Sequence, residues 1–350
     1  MTDNRPYHFD CAIVGAGLSG LICAQQLQKS GLRVVVLDKS RGVGGRVATR
    51  RLENTCVDHG LPFLTVTGQY SQRLIEELSE LNIIQAWTGK VYHLSSDDVF
   101  THEAANRYIA SSGINAIAKH LAKDLEIWRN CRVTLLGLAQ GPSWCLIGDD
   151  SANFAQPIFA SALVLAIPAP QALMLLEASK SVNFPEPFLH QLEAVEFKPT
   201  LSVIAGYAPQ SQTELLQLSW DGVKFIDDPY LAWVGIDSSK REQPEQPVLI
   251  LHSTPEFAQE YLDADGLEVA AQKLLHHASV RLLPALDQPQ WVQVHRWRYA
   301  FPSVSLSLPC LFTGEPLPLV CCGDWCGENL VESALESGIS AAGQIRGIFS

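Results

Sequence analysis

Apolar positions along this chain follow two different periods, and the changes between them mark its elements. Phe9–Val14 (FDCAIV) is a short apolar run that predicts a buried strand. Leu18 to Ser30 carries the helical period and ends at Gly31, a residue suited to the position just after a helix. Arg33–Leu37 is a second apolar run with Asp38 at its end. Between the first strand and the helix, Gly15, Gly17 and Gly20 fill a G-x-G-x-x-G frame. Strand, glycine turn, helix, strand and acid together predict a dinucleotide-binding unit. Gly15 allows the tight turn, Gly17 lets backbone approach a pyrophosphate, and Gly20 lets helix pack on strand. Asp38 is placed to accept hydrogen bonds from an adenosine ribose. The frame by itself leaves open which dinucleotide binds.

Further on, Tyr70–Leu81 reads as an amphipathic helix, Val91–Ala110 as an exposed hairpin, and Ile114–Leu125 as helix again. CRVTLLGL and SWCLIG read as strands around a Gly-Pro turn, and SALVLAIP as a buried strand stopped by Pro168. The middle changes character. Two short helical pieces precede the strands TLSVIAGY, YLAWVGID and PVLILHST, and the helices Pro255–Asp263 and Leu267–His277 follow. After a further strand, WVQVHRWRYA, the tail returns to the opening theme with the strand LPLVCCGD and a helix Leu330–Arg346. This order predicts an α/β fold. A Rossmann-type domain (1–87, 111–170 and 291–350) is interrupted by an α+β substrate domain (88–110 and 171–290) with a mainly antiparallel sheet.

Composition narrows the function. A chain of 350 residues exceeds one ordinary core, consistent with two lobes. Its net charge of −12 argues against nucleic acid or an anionic membrane as partner. The cluster Lys39, Arg41, Arg46, Arg50 and Arg51 runs against that balance and suits cofactor phosphates. The nine cysteines are odd in number, lie mostly in apolar runs and form no C-x-x-C, so reduced thiols and no metal are expected. The polar start MTDNRPYH reads as no signal peptide, and no apolar run approaches the ~20 residues of a membrane span. A cytoplasmic location is expected.

Three more motifs bear on the ligand. In GVGGRVATR, Gly45 and its neighbour bring backbone and the Arg46 guanidinium towards one anion. In VDHGLPFLTV, Gly60, Pro62 and Phe63 offer tight backbone beside an aromatic, suited to a flat ring. In CCGDWCGENLVES, Gly323 and Asp324 end a strand where a polyol could be held, and the following helix aims its positive end at whatever lies above it.

In this order the motifs resemble the flavin-containing amine oxidase superfamily, which also includes phytoene desaturases and protoporphyrinogen oxidases. GINAIAKHL, LVLAIPAPQALMLL, DDPYLAWVGIDSSKR, LILHSTPEFAQEYL, HRWRY and CCGDW are similar, in order, to segments of the renalase family. The resemblance implies non-covalent FAD, contacted by Ser19, Asp38, Lys39, Arg46, Pro62 and Phe63. Val133 would meet the adenine end, Asp324 the ribityl chain, and the Val331 backbone the flavin C2 carbonyl. Leu61-Pro62-Phe63 departs from the Ala-Gln-Tyr of animal renalases, which removes any side-chain contact from that glutamine.

The resemblance also implies a reaction: oxidation of the 2- and 6-dihydro isomers of NAD(P)H, with dioxygen reoxidising the flavin to give hydrogen peroxide. A helix dipole of about 0.3–2 kcal/mol would tune the flavin without supplying the chemistry. Trp233, His252, Trp297, Arg298 and Tyr299 are the candidates for substrate contact; each also has a plain reading as core or as an ion-pair member. The alternatives are a flavin amine oxidase and a non-enzymatic flavoprotein redox sensor. The segment similar to the amine oxidases' lysine strand, TLSVIAGY, has no lysine; Lys198 lies before it.

Overall fold

A computed structural model describes residues 7–53, 55–149, 154, 156–209, 215, 218–328 and 330–350. The polar start Met1–Pro6 lies outside them. Two large sheets organise the chain. The first has eight strands built around a parallel centre: Ile158–Leu165, His8–Val14, Val34–Asp38 and Ile127–Arg129. Strand Ile158–Leu165 is shared along its length. Its first half pairs antiparallel with Trp144–Gly148 and its second half parallel with Leu319–Cys321. The N- and C-terminal strands thus enter one sheet.

Alternation along these strands sends residues to two cores. Cys11, Ile13, Val36, Ala162 and Val164 face the helices Leu18–Lys29 and Leu330–Phe349. Ala12, Val14, Val35, Leu163 and Leu165 face Ala169–Ala178 and Glu186–Glu193. Period-two side chains covered on both faces explain why these strands read as near-continuous apolar runs. The two long helices meet closely, because a methyl on Gly338 would stand 2.4 Å from the Ser19 carbonyl oxygen.

The second sheet has seven strands in the order Trp291–Val304, Glu196–Gly206, Val248–Ser253, Leu231–Ile236, Gly222–Phe225, Val91–Leu94 and Phe100–His102. All neighbours are antiparallel except Gly222–Phe225 with Val91–Leu94. Leu201, Val203, Ala205, Leu249 and Leu251 pack one face on the helices Pro255–Glu260 and Glu268–Arg281. The other face, with Ile204, Trp233, Val248 and Ile250, packs on Val57 from the first lobe.

Two segments sit elsewhere than the sequence suggested. Trp291–Val304, expected with the cofactor domain, is the edge strand of the second sheet, paired along Glu196–Gly206. Its apolar pattern cannot name its sheet; only the partner strand does. Helices Ala169–Ala178 and Glu186–Glu193, expected in the substrate domain from residue 171 onward, pack instead on the first sheet. Among the described residues no helix is long and apolar enough to cross a membrane, and no cluster of potential ligands could hold a metal ion.

Candidate active site

The parallel strands of the first sheet end together, and their carboxyl ends build one side of the site, as open α/β sheets require. Gly15 follows Val14 with φ +109°, and a methyl there would lie 2.4 Å from the Ala166 carbonyl oxygen. At Gly20 a methyl would lie 2.0 Å from the Gly15 oxygen, so close helix-to-turn packing demands glycine there too. Gly17 differs: nothing lies within 4 Å of the place a methyl would take, so its backbone faces open space at the helix start. Asp38 braces this turn, Oδ2 accepting from the Ala16 N–H at 2.7 Å and Oδ1 from the Ser40 N–H at 2.7 Å. Gly45 (φ +57°) lies against Gly17, while Lys39 is exposed and Val133 half-buried opposite Gly148.

Arg46 and Asp324 are 278 residues apart in sequence and form a two-pronged ion pair, Nη1 to Oδ2 and Nη2 to Oδ1, both at 2.6 Å. Arg46 also donates to the Ala300 carbonyl at 3.1 Å. The sequence assigned this guanidinium to a phosphate and the carboxylate to a polyol. The fold brings the two side chains together, because the loop after the second strand and the end of the last strand converge. Gly323 donates its N–H to Ser337 Oγ at 3.0 Å, fixing that strand end to the C-terminal helix. Val331, half-buried, lies in the first turn of that helix.

The opposite wall is a row across the second sheet. Trp233, His252, Ser202 and His295 are register neighbours on four strands, and Trp297 follows two residues after His295 on the same face. The loop His59–Phe63 is stitched to this row. The His59 carbonyl accepts from Ser202 Oγ at 2.8 Å and from Trp297 Nε1 at 3.0 Å, and the His59 ring stacks on Trp297 with centroids 5.5 Å apart. Gly60 is required, since a methyl would stand 2.0 Å from the Arg46 oxygen. Phe63 meets Trp233 edge-on at 5.7 Å, and a cleft lined by Pro62, Phe63, Trp87, Trp233, Lys240 and Ile250 lies between loop and sheet.

The three imidazoles of this wall are held neutral. Burial, with His295 and Arg50 nearby, lowers His59 from the usual 6.5 to about 4. Burial and then Lys240 lower His252 to about 4, and burial and then Arg50 do the same for His295. Among the described residues, three buried polar atoms here have no hydrogen-bond partner: His59 Nδ1, His252 Nε2 and Trp233 Nε1. Orphaned buried donors and acceptors are rare in folded proteins, and such atoms are places where a water, an ion or a ligand can bind.

Beneath the loop lies a cluster of four buried charges. Lys240 Nζ contacts Asp58 at 3.1 Å, the Pro62 carbonyl at 3.0 Å, and Asp237. Arg241 bridges the same two carboxylates at 2.8 and 2.6 Å. Burial works to raise the Asp58 carboxyl, but Lys240, Arg241 and the Ile114 N–H together outweigh it and leave it below the usual range.

Residues 13–80 match the NAD(P)-binding Rossmann-like domain and residues 90–346 the flavin containing amine oxidoreductase family. The chain belongs to the flavin containing amine oxidoreductase family. A probable flavin-containing monoamine oxidase A of Dictyostelium discoideum is 37% identical over 120 residues, which are 34% of this chain and 26% of that protein. Amine oxidase [flavin-containing] B of Cavia porcellus is 44% identical over 70 residues, 20% of this chain and 14% of that one. The matches therefore span well under half of these curated relatives. Putrescine oxidase bound to putrescine superposes with a TM-score of 0.71 at 15% identity, covering 98% of this chain and 100% of that one. A putative protoporphyrinogen oxidase from Exiguobacterium sp. 255-15 gives 0.71 at 13% identity, covering 98% and 99%. At such identity these structures speak for the fold.

Membership of this family implies FAD as the cofactor. The residues fit that group: open space over Gly17 at a helix N-terminus, a braced acid at the second strand, and buried polar atoms without partners in the ring-bearing wall opposite. Among the sequence candidates, Trp233, His252 and Trp297 come together on the wall. Arg298 does not. It points to the opposite face of its strand, where Nη2 donates to Asp263 at 2.6 Å and to the Leu262 carbonyl at 3.1 Å. One residue of shift reverses the face of a strand. Tyr299 is edge-on to Phe197 at 5.9 Å, and the Phe197 ring lies under the Arg46 guanidinium. Missed in sequence were His295, which the two-residue period from Trp297 would have found, and the Asp58–Lys240 cluster, which no local pattern joins.

Proposed function

We propose that this flavoprotein is an oxidase of the renalase type, taking a hydride from the 2- or 6-dihydro isomers of NAD(P) and releasing the aromatic nicotinamide. FAD, when bound, would supply a two-electron acceptor that dioxygen can reoxidise, with hydrogen peroxide as the product. One observation carries the reading: the wall facing the cofactor domain is a row of flat, uncharged rings, Trp233, His252, His295 and Trp297, with its imidazoles held neutral. A dihydronicotinamide asks for this kind of surface. Its ring nitrogen expels the hydride and aromatisation drives the step, so the protein has to stack and orient a ring and not to remove a proton. Trp233 Nε1 and His252 Nε2, free of partners, are suited to orient a polar ring substituent.

The second reading, an amine oxidase, draws on the relatives' names and on a lysine that does approach the cleft. Lys240 is that lysine, but its three donors are engaged by Asp58, Asp237 and the Pro62 carbonyl, so none is left for a water at the flavin. The deciding experiment is anaerobic reduction of the purified yellow holoprotein. Borohydride-generated dihydronicotinamide isomers should bleach the flavin and simple amines should not; the reverse result would falsify the renalase-type reading.

A further inference from the structure

The strand Thr49–Arg51 carries one residue that leaves the dinucleotide side of the molecule. In the two-stranded hairpin with Cys56–Asp58, Arg50 sits opposite Val57. Val57 is fully buried among Ile204, Trp233, Val248 and Ile250, so this face of the hairpin looks at the ring-lined wall. The Arg50 side chain follows it there: Nη1 donates to Gln293 Oε1 at 2.8 Å, and Gln293 is two residues before His295 on the same face. Its positive charge is felt by His59 and His295, which it helps to keep neutral.

The neighbourhood leaves this charge unneutralised. Gln293 is uncharged, and among the described residues no carboxylate pairs with Arg50. The nearby Asp58 and Asp237 are already matched by Lys240 and Arg241. A half-buried guanidinium beside neutral rings makes the local field positive. It repels a cationic amine and attracts an anion, and its planar fork matches phosphate oxygens.

We propose that Arg50 is a specificity-determining residue that binds a phosphate of the substrate, so that the site selects a nicotinamide nucleotide over the unphosphorylated riboside or an amine. This rests on the renalase-type reading above and extends it to the substrate's anionic half.

The test uses holoenzyme with borohydride-generated dihydro isomers of nicotinamide mononucleotide and of nicotinamide riboside. Wild type should show a KM for the mononucleotide about tenfold or more below that for the riboside, the size of one charge-assisted hydrogen bond. R50Q should raise the mononucleotide KM by about tenfold more than the riboside KM and so abolish the preference, with flavin content unchanged; R50K should restore part of it. Equal wild-type KM values for the two substrates, an equal rise for both in R50Q, or loss of flavin from R50Q each overturns the assignment. A titration with oxidised nicotinamide mononucleotide, followed by the flavin absorbance shift, reads the same contact without turnover. If no dihydronicotinamide bleaches the flavin but this binding weakens in R50Q, the reaction is wrong and the phosphate contact stands. Binding unaffected by R50Q overturns the contact whatever the reaction proves to be.

Discussion

A methyl group added to Gly15 meets the Ala166 carbonyl at 2.4 Å in a left-handed backbone, whereas one added to Gly17 meets nothing within 4 Å at an ordinary φ of −77°. The two alanine variants should therefore fail differently. Gly15→Ala should destabilise the fold by at least about 2 kcal/mol, read as a lowered melting temperature of the apoprotein. Gly17→Ala should melt like wild type and yet take up little FAD, because its methyl occupies the space left for pyrophosphate. Equal flavin uptake by Gly17→Ala and wild type would remove that glycine from the cofactor site. Arg298 belongs to the same scale. Its ion pair with Asp263 is exposed, so Arg298→Ala should change stability by no more than about 0.5 kcal/mol and leave flavin reduction as it was.

Between elements, the decisive contacts come from far along the chain. Helix Gln69–Glu80 begins after Gly68, which has no capping side chain; the Glu332 carboxylate of the C-terminal helix serves instead, accepting from the Tyr70 and Ser71 N–H groups at 2.8 and 2.7 Å. Glu332→Ala should cost about 1–2 kcal/mol in chemical denaturation. The buried cluster joins Cys56–Asp58 of the first lobe to the turn Asp237–Lys240 of the second. Removing one cation leaves a carboxylate uncompensated away from water, so Lys240→Met should destabilise by about 3–5 kcal/mol and loosen the Pro62 carbonyl contact. A melting temperature equal to wild type would mean that the cluster does not tie the lobes.

For the molecule as a whole, the imidazoles set a pH dependence. Unfolded, they take up protons near 6.5; folded, His59, His252 and His295 resist until about 4. The unfolded state thus binds more protons within that window, and stability falls as pH drops from 6.5 towards 4. Asp58 and Glu332, with carboxyls below their usual range, add to the loss as pH falls below about 4.5. Thermal melts with retained flavin should decline through this range, and a flat profile would contradict neutral buried imidazoles.

The sequence by itself determined what depends on neighbours in the chain. The glycine frame, the acid closing the second strand, the paired periods and the order of elements all follow from local sterics and alternation, and they were enough to predict a dinucleotide-binding unit; the choice of FAD came from the family resemblance. The side of the strand on which Arg298 lies, the sheet that receives Trp291–Val304, the mutual pairing of Arg46 with Asp324 and the meeting of Asp58 with Lys240 depend on distances across the fold. An ion pair 278 residues apart has no periodicity to reveal it. Such partners are chosen by which surfaces pack, because a buried charge must find whatever opposite charge the packed lobes bring within reach.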